Sequence, residues 1–558
     1  MSKKILVVGG VAGGASAVAR LRRLNEKDEI ILFEKGEYIS FANCGLPYYI
    51  GEVIKERQKL LVQTADRMAK RFNIDVRVNN EVIAINREEK TITVLNHQSG
   101  ETYTELYDIL VLSPGSRPMK PEIPGIEEAK SLFTLRNVPD TDRIKLYVDH
   151  QKPQHATVIG GGFIGIEMVE TLRERGIEVT LVEMADQILP IIDKEMATVA
   201  QNHMKDHGVE LILGNGVASF EQQGTLVQLK SGKSIKTDMI ILSIGVQPQN
   251  ELAKQAGLEL GVRGTIKVNE KMQTSDPSIF AVGDVIQVTD FATGAETMIP
   301  LAWPANRQGR LVADVINGRN AKYTSTMGTS IVKVFDLAVA STGANEKTLQ
   351  KQGTSYEVVH VQANSHAGYY PGAFPVLIKL IFDKETGKMY GAQVVGKEGV
   401  DKRLDIIATA MKLGAKVTNL PELEIAYAPP FASAKDPVNL AGYVATNIVE
   451  GLVETVQWHE IDEIVKNGGY LIDVRESNEL KQGMIPGSIH IPLDDLRHRL
   501  NELPKDKPIY ITCQLGMRGY LASRTLTENG FKAINLDGGY KLYETIYGIK
   551  SNLIGNEK

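Results

Sequence analysis

A glycine-rich turn set between a short apolar run and an amphipathic stretch occurs twice in this chain, and each time a second apolar run ending in glutamate follows. The first copy reads "KKILVVGGVAGGASAVARLRRLNEKDEIILFEK" and the second "HATVIGGGFIGIEMVETLRERGIEVTLVEMAD". Apolar runs this short, closed by glycine, predict buried parallel strands, and the stretch between them has helical spacing. The chain is therefore expected to hold two βαβ units of the dinucleotide-binding kind, an internal repeat.

The second loop is complete. Gly160, Gly162 and Gly165 form G-x-G-x-x-G, for a tight turn, close backbone approach to a pyrophosphate and helix-on-strand packing. Glu183 ends the following strand, where a carboxylate accepts from a ribose diol and repels a 2′-phosphate, so NADH is favoured over NADPH. The first loop keeps Gly9 and Gly14 but has Val11 at the middle glycine position; Glu34 ends its second strand and Lys35 follows. Each copy also has a strand-like run leading into Ser-x-Gly-x-x-Pro, "SPGSRP" with Gly115 and "SIGVQP". Two unequal sites suggest two dinucleotides, one nicotinamide and one flavin, and "AVGD" with Asp284 supports FAD at the first.

At 558 residues the chain is long enough for roughly three to five domains. A net charge of −5 implies no nucleic-acid or anionic-membrane partner. Two cysteines exclude a disulfide framework and a cysteine-built metal site, so no metal is expected. No apolar run approaches the roughly 18 residues of a membrane span, and a cytoplasmic location is expected.

The order of "VVGGVAGG", "SFANCGLPYYIG", "SPGSRP", "GGGFIGIE" and "AVGD" resembles that of the two-dinucleotide-binding flavoprotein disulfide reductases, over roughly residues 1–445. Glutathione-reductase types carry a C-x4-C pair; this chain has Cys44 alone and so resembles the single-cysteine branch. "SFANCGLPY" is similar to the motif of coenzyme A-disulfide reductases, whereas NADH oxidases and peroxidases resemble G-x-x-H-A-G, and Ala12 stands at that histidine position. With no partner cysteine in the motif, Cys44 can cycle as a mixed disulfide with an external thiol. Pro47 suits the first turn of a helix, so a helix N-terminus is expected to lower the Cys44 thiol pKa. The resemblance implies coenzyme A as substrate. Arg20, Arg22, Arg23, Lys70 and Arg71 are its candidate cationic contacts, and Ser40 and Asn43 flank the cysteine. It also implies a homodimer whose third domain offers tyrosines to the site, Tyr427 with Tyr369 or Tyr370, as proton donors to a leaving thiolate.

The C-terminal stretch, "YLIDVRESNELKQGMIPGSIHIPLDDL" followed by "PIYITCQLGMRGYLASRTLTENGF", resembles a rhodanese domain. In "CQLGMR" the spacing C-x4-R matches sulfurtransferases. Cys513 is the expected persulfide carrier in a cradle of backbone N–H groups, and Arg518 a fork for oxyanions such as thiosulfate.

The expected fold is therefore α/β, with two Rossmann-like dinucleotide-binding domains, an α+β dimerisation domain and a C-terminal rhodanese α/β domain. The spans are 1–150 with 276–324 for FAD, 151–275 for NAD(H), 325–447 for dimerisation and 455–558 for rhodanese. The expected function is an FAD-dependent, NADH-using reductase of coenzyme A disulfide, persulfide or polysulfide, with the rhodanese domain supplying or relaying sulfane sulfur. The alternatives are an NADH oxidase or peroxidase using a cysteine sulfenic acid, and a sulfur carrier or sensor.

Overall fold

The computed structural model describes residues 2–548, which divide into two compact units, 2–189 with 208–328 and 190–207 with 329–548. In the N-terminal unit each glycine loop sits at the end of the central strand of a parallel sheet. The first sheet runs Ile279–Ala281, Ile109–Leu112, Lys4–Val8, Glu29–Glu34, Asp75–Val78. The second runs Glu210–Ile212, Glu178–Val182, His155–Ile159, Met239–Leu242, Leu132–Phe133. In both, the glycine-loop strand lies between the glutamate-ended strand and the strand that leads to Ser-x-Gly-x-x-Pro. The central strands are buried along almost their whole length, as the unbroken apolar runs predict.

The duplication extends to the insertions. Each sheet is interrupted, before the strand that leads to Ser-x-Gly-x-x-Pro, by a three-stranded antiparallel sheet, Asn80–Asn86, Thr91–Asn96, Thr102–Leu106 in the first copy and Val217–Glu221, Leu226–Leu229, Ser234–Lys236 in the second. The two Ser-x-Gly-x-x-Pro segments pair with each other, Ser116 opposite Pro248 and Pro118 opposite Val246, in a short antiparallel ribbon.

The C-terminal unit begins with an antiparallel sheet in the order Ser330–Val334, Leu337–Gly343, Met389–Gly396, Pro375–Phe382, Glu357–Asn364. The last of these strands, "EVVHVQAN", lies in the span expected for dimerisation but is not one of the strands that the apolar runs there mark. The helix Lys194–Asp206, expected within the second nucleotide-binding span, groups with this unit instead. Its Met196, Ala197, Ala200 and Met204 are fully buried. A parallel sheet closes the chain, in the order Glu454–Val456, Ala533–Leu536, Ile509–Thr512, Tyr470–Asp473, Ile489–His490.

A buried ionic network ties the parts of the C-terminal unit together. Lys379, fully buried on Pro375–Phe382, pairs with Asp193 at 2.9 Å and with Glu195 and Glu346. His360, on the neighbouring strand, holds Glu195 Oε1 at 3.0 Å through Nε2 and Asp537 Oδ2 at 2.6 Å through Nδ1. Burial alone would drive both cations toward neutrality, but the carboxylates outweigh it. Lys379 is held above its ordinary range and His360 is pushed up to about 9.

Removing one partner of such a cluster leaves uncompensated charge, at about 3–5 kcal/mol. Lys379→Met is expected to lower the C-terminal unit's stability by that order in chemical denaturation. Because the folded His360 pKa exceeds the unfolded value of about 6.5, its contribution is complete below that pH and is lost as pH rises through about 9. Wild-type stability should therefore fall between pH 6.5 and pH 9.5 more steeply than that of His360→Gln, again by denaturant titration.

Candidate active site

The two phosphate loops are built alike at the atomic level. A Cβ on Gly14 would meet the Gly9 carbonyl oxygen at 1.8 Å, and one on Gly165 would meet that of Gly160 at 2.0 Å, so only glycine lets each helix start this close to its turn. Neither helix, Ala12–Leu24 or Phe163–Glu174, has a side-chain N-cap, which leaves first-turn N–H groups for an anion. Around Gly162 a Cβ would meet nothing within 4 Å, the open space that a pyrophosphate needs.

The glutamates have a role that the motif alone did not reveal. Glu34 accepts from Gly10 N at 2.8 Å and Gly36 N at 2.9 Å; Glu183 accepts from Gly161 N at 2.6 Å and Ala185 N at 2.8 Å. Each carboxylate pins its glycine loop to the turn after the second strand, and burial pushes that of Glu34 above the usual range. At the first site Asp284 Oδ2 accepts from Ser116 Oγ at 2.8 Å and pairs with Arg136 at 3.0 Å, beside Gly115. Lys35 is exposed and donates to Gln249 Oε1 at 2.9 Å. The capless helix, the glycine turn and the acidic strand end fit a dinucleotide at each site.

Cys44 is exposed, in the turn Asn43–Gly45 ahead of the helix Leu46–Ile50. Pro47 is in that helix's first turn as expected, but the thiol is not lowered. Desolvation by the surrounding protein raises it, Glu167 and Asp284 add to that, and Arg136 opposes them. Glu167 was missed in the sequence although it lies within the quoted "GGGFIGIE". Burial pushes its carboxyl up to about 7, and Tyr48 OH lies 3.4 Å from its Oε1. The signal was an acid in the first buried turn behind a phosphate loop. Asn43 Oδ1 is buried with no hydrogen-bond partner among the described residues, an acceptor left for a ligand donor beside the thiol.

The proposed coenzyme A contacts differ in availability. Arg22 is 4 % exposed and gives its donors to the carbonyls of Phe72, Asn25 and Asn73, and Arg20 pairs with Asp314 at 2.7 Å. Both are therefore ties within the fold. Arg23, Lys70 and Arg71 are exposed, and Ser40, at φ 43°, donates its backbone N–H to the Gly10 carbonyl. In the C-terminal unit Tyr369 and Tyr427 are exposed and share an OH···OH hydrogen bond of 2.8 Å, while Tyr370 packs edge-on against His366.

Cys513 is buried at the end of Ile509–Thr512, and its Sγ accepts from Gly516 N at 3.1 Å. The Gly538–Gly539 turn supports the loop from behind, with Tyr540 N donating to the Cys513 carbonyl at 2.7 Å. Arg518 does not present a free fork. Both its terminal nitrogens hold Glu479, at 2.6 Å each, and this pair lowers the Glu479 carboxyl.

The family model for pyridine nucleotide-disulphide oxidoreductases matches residues 3–309, more than half of the chain, and the dimerisation-domain model of the same family matches 329–437. The chain belongs to this family. The rhodanese-like domain model matches residues 457–545. A curated relative, the coenzyme A disulfide reductase of Staphylococcus epidermidis, is 38% identical over 443 residues, 79% of this chain and 99% of the relative. The reduced CoADR-RHD of Bacillus anthracis is 69% identical at a TM-score of 0.97, covering 98% of each chain. A NAD-dependent persulfide reductase from A. fulgidus is 36% identical at 0.90, covering 97% of this chain and 100% of that one. The family's members use FAD and NAD(P)H, and this chain is a flavin-dependent oxidoreductase with an appended rhodanese domain. Among the described residues no helix is long and apolar enough to cross a membrane.

The cause of the raised thiol is testable. Glu167→Gln should shift the pH dependence of Cys44 alkylation to lower pH and Arg136→Met to higher pH, measured in a Cys513→Ala background.

Proposed function

We propose that the chain reduces coenzyme A disulfide, and the persulfide or polysulfide sulfur carried on such thiols, with NADH, through Cys44 as the one redox cysteine of the reductase portion. The observation that carries this reading is that Cys44 is exposed with no second cysteine in the reductase portion, the chain's other cysteine being Cys513 in the rhodanese domain. The net reaction takes a disulfide, NADH and a proton to two thiols and NAD⁺; with a persulfide, one product is sulfide.

FAD, when bound, supplies the relay of two electrons from the nicotinamide to sulfur. The first-site residues Gly9, Gly14, Glu34, Gly115 and Asp284 would hold it, and Gly160, Gly162, Gly165 and Glu183 the nicotinamide dinucleotide. Cys44 attacks one sulfur of the substrate and releases a thiolate, leaving a mixed disulfide whose reduction returns the free thiolate. Burial raises the Cys44 thiol, so its attack needs a proton acceptor, and Glu167, its carboxyl pushed up to about 7, is assigned that role. Asn43 and the exposed Arg23, Lys70 and Arg71 are the contacts left for coenzyme A. In a homodimer formed through residues 325–447, the hydrogen-bonded phenols Tyr369 and Tyr427 protonate the leaving thiolate. Cys513 loads sulfane sulfur and passes it on; Arg518 must leave Glu479 before it can hold an oxyanion.

Cys44→Ser is expected to abolish disulfide and persulfide reduction while retaining bound flavin by absorbance. Cys513→Ala should keep reduction of a directly supplied disulfide and lose thiosulfate sulfurtransferase activity. Full disulfide turnover by Cys44→Ser would sink the reading, and rapid peroxide turnover dependent on Cys44 would favour an oxidase or peroxidase. Glu183→Ala should narrow a wild-type kcat/KM preference for NADH over NADPH, and a wild-type preference for NADPH would show the carboxylate argument to be wrong.

A further inference from the structure

Two histidines and an aspartate converge in the C-terminal unit, away from the residues assigned above to either cysteine. His203 lies in the last turn of Lys194–Asp206 and His207 caps that helix, so the two rings stand one turn apart with centroids 4.4 Å apart. Asp336 comes from the two-residue turn between the strands Ser330–Val334 and Leu337–Gly343. One ligand atom from each residue lies within 4.8 Å of the other two.

Three features of this cluster are those of a cation site. His203 Nε2 is buried and faces Asp336 Oδ1 at 2.5 Å. His207 Nδ1 donates to the His203 carbonyl at 2.8 Å, which sets its tautomer with the lone pair on Nε2, as a backbone bond does for metal-binding imidazoles. Phe335 occupies the turn at φ 56°, where glycine is the norm, and its ring stacks on His207 at 4.2 Å, so a strained residue braces the imidazole. His203 also lines an open cavity of about 600 Å³ with Asp206 and Tyr547, which gives an ion a way in.

We propose that His203, His207 and Asp336 form a binding site for a divalent first-row transition ion such as Zn²⁺, Co²⁺ or Ni²⁺. Two imidazole nitrogens and a carboxylate oxygen suit those ions and not Ca²⁺ or Mg²⁺, which take oxygen ligands. The ion would staple the 330–343 hairpin to the helix Lys194–Asp206, whose Asn202 donates to the Thr545 carbonyl at 3.1 Å in the final helix Gly539–Tyr547. Lys397 competes, because its ammonium pairs with Asp336 Oδ2 at 2.5 Å.

The test is equilibrium dialysis and absorption titration of untagged, metal-stripped, full-length holoenzyme with Co²⁺. One equivalent per chain should bind saturably. His207→Ala, at an exposed position that folding tolerates, should weaken binding by about tenfold or more, as should His203→Ala. Lys397→Met should tighten it, because a cation beside the carboxylate is gone. NADH-dependent disulfide reduction should be unchanged in His207→Ala. Absence of saturable binding to the wild type, or equal affinity in His207→Ala, would overturn the proposal; the second outcome places the ion elsewhere.

Discussion

Lys379 is an ammonium ion with no access to water, and much of the C-terminal unit is arranged to make that tolerable. Its three carboxylates come from two stretches of chain: Asp193 and Glu195 open the helix Lys194–Asp206, and Glu346 starts the helix Glu346–Gln352. Glu195 is shared with His360, and His360 reaches Asp537, whose carboxylate also accepts the His360 backbone N–H. A desolvated pair repays its cost only when its remaining hydrogen-bonding capacity is filled. Gln393 does that for Asp193, donating to Oδ2 at 2.6 Å and accepting from its backbone N–H at 2.8 Å. The chain thus spends its most demanding charge on joining the 190–207 segment, the antiparallel sheet and the parallel sheet that carries Cys513.

Asp537 immediately precedes the Gly538–Gly539 turn that supports the Cys513 carbonyl. The backbone around the rhodanese cysteine is thereby referred, through one imidazole, to the antiparallel sheet next to it. In the N-terminal unit the corresponding organising groups are Glu34 and Glu183, each clamping a glycine loop to the turn after the next strand. The same two-pronged acceptor in both copies is the clearest atomic trace of the repeat.

What could be read from the sequence was whatever depends on near neighbours along the chain. The glycine spacing, the glutamates at the strand ends, the lone Cys44 and the C-x4-R loop all follow from local pattern, and strands with continuous apolar runs were recovered. "EVVHVQAN" carries no continuous apolar run because its buried polar member, His360, interrupts it, and that histidine is there for a partner 177 residues away. Lys379 within "FPVLIKLIFD" was a signal in plain view, since a lysine inside an apolar strand needs anions, but which anions is a matter of tertiary structure. Arg22 reads as surface charge in "RLRRL", yet three carbonyls from outside its helix's face absorb it. The direction of the Cys44 thiol turned on burial and on Glu167, neither visible from a proline at a helix start.

The Arg518–Glu479 fork bears on the sulfur transfer proposed for this loop. With its charge cancelled at contact distance, this guanidinium projects little field beyond the loop, and a pair so close is screened only weakly by dissolved salt. Arg518 therefore does not steer anions from afar. If the loop takes an oxyanion donor as proposed above, that anion would have to match both prongs of the carboxylate it displaces, which would place discrimination among donors in residence time on the loop and not in the rate of encounter.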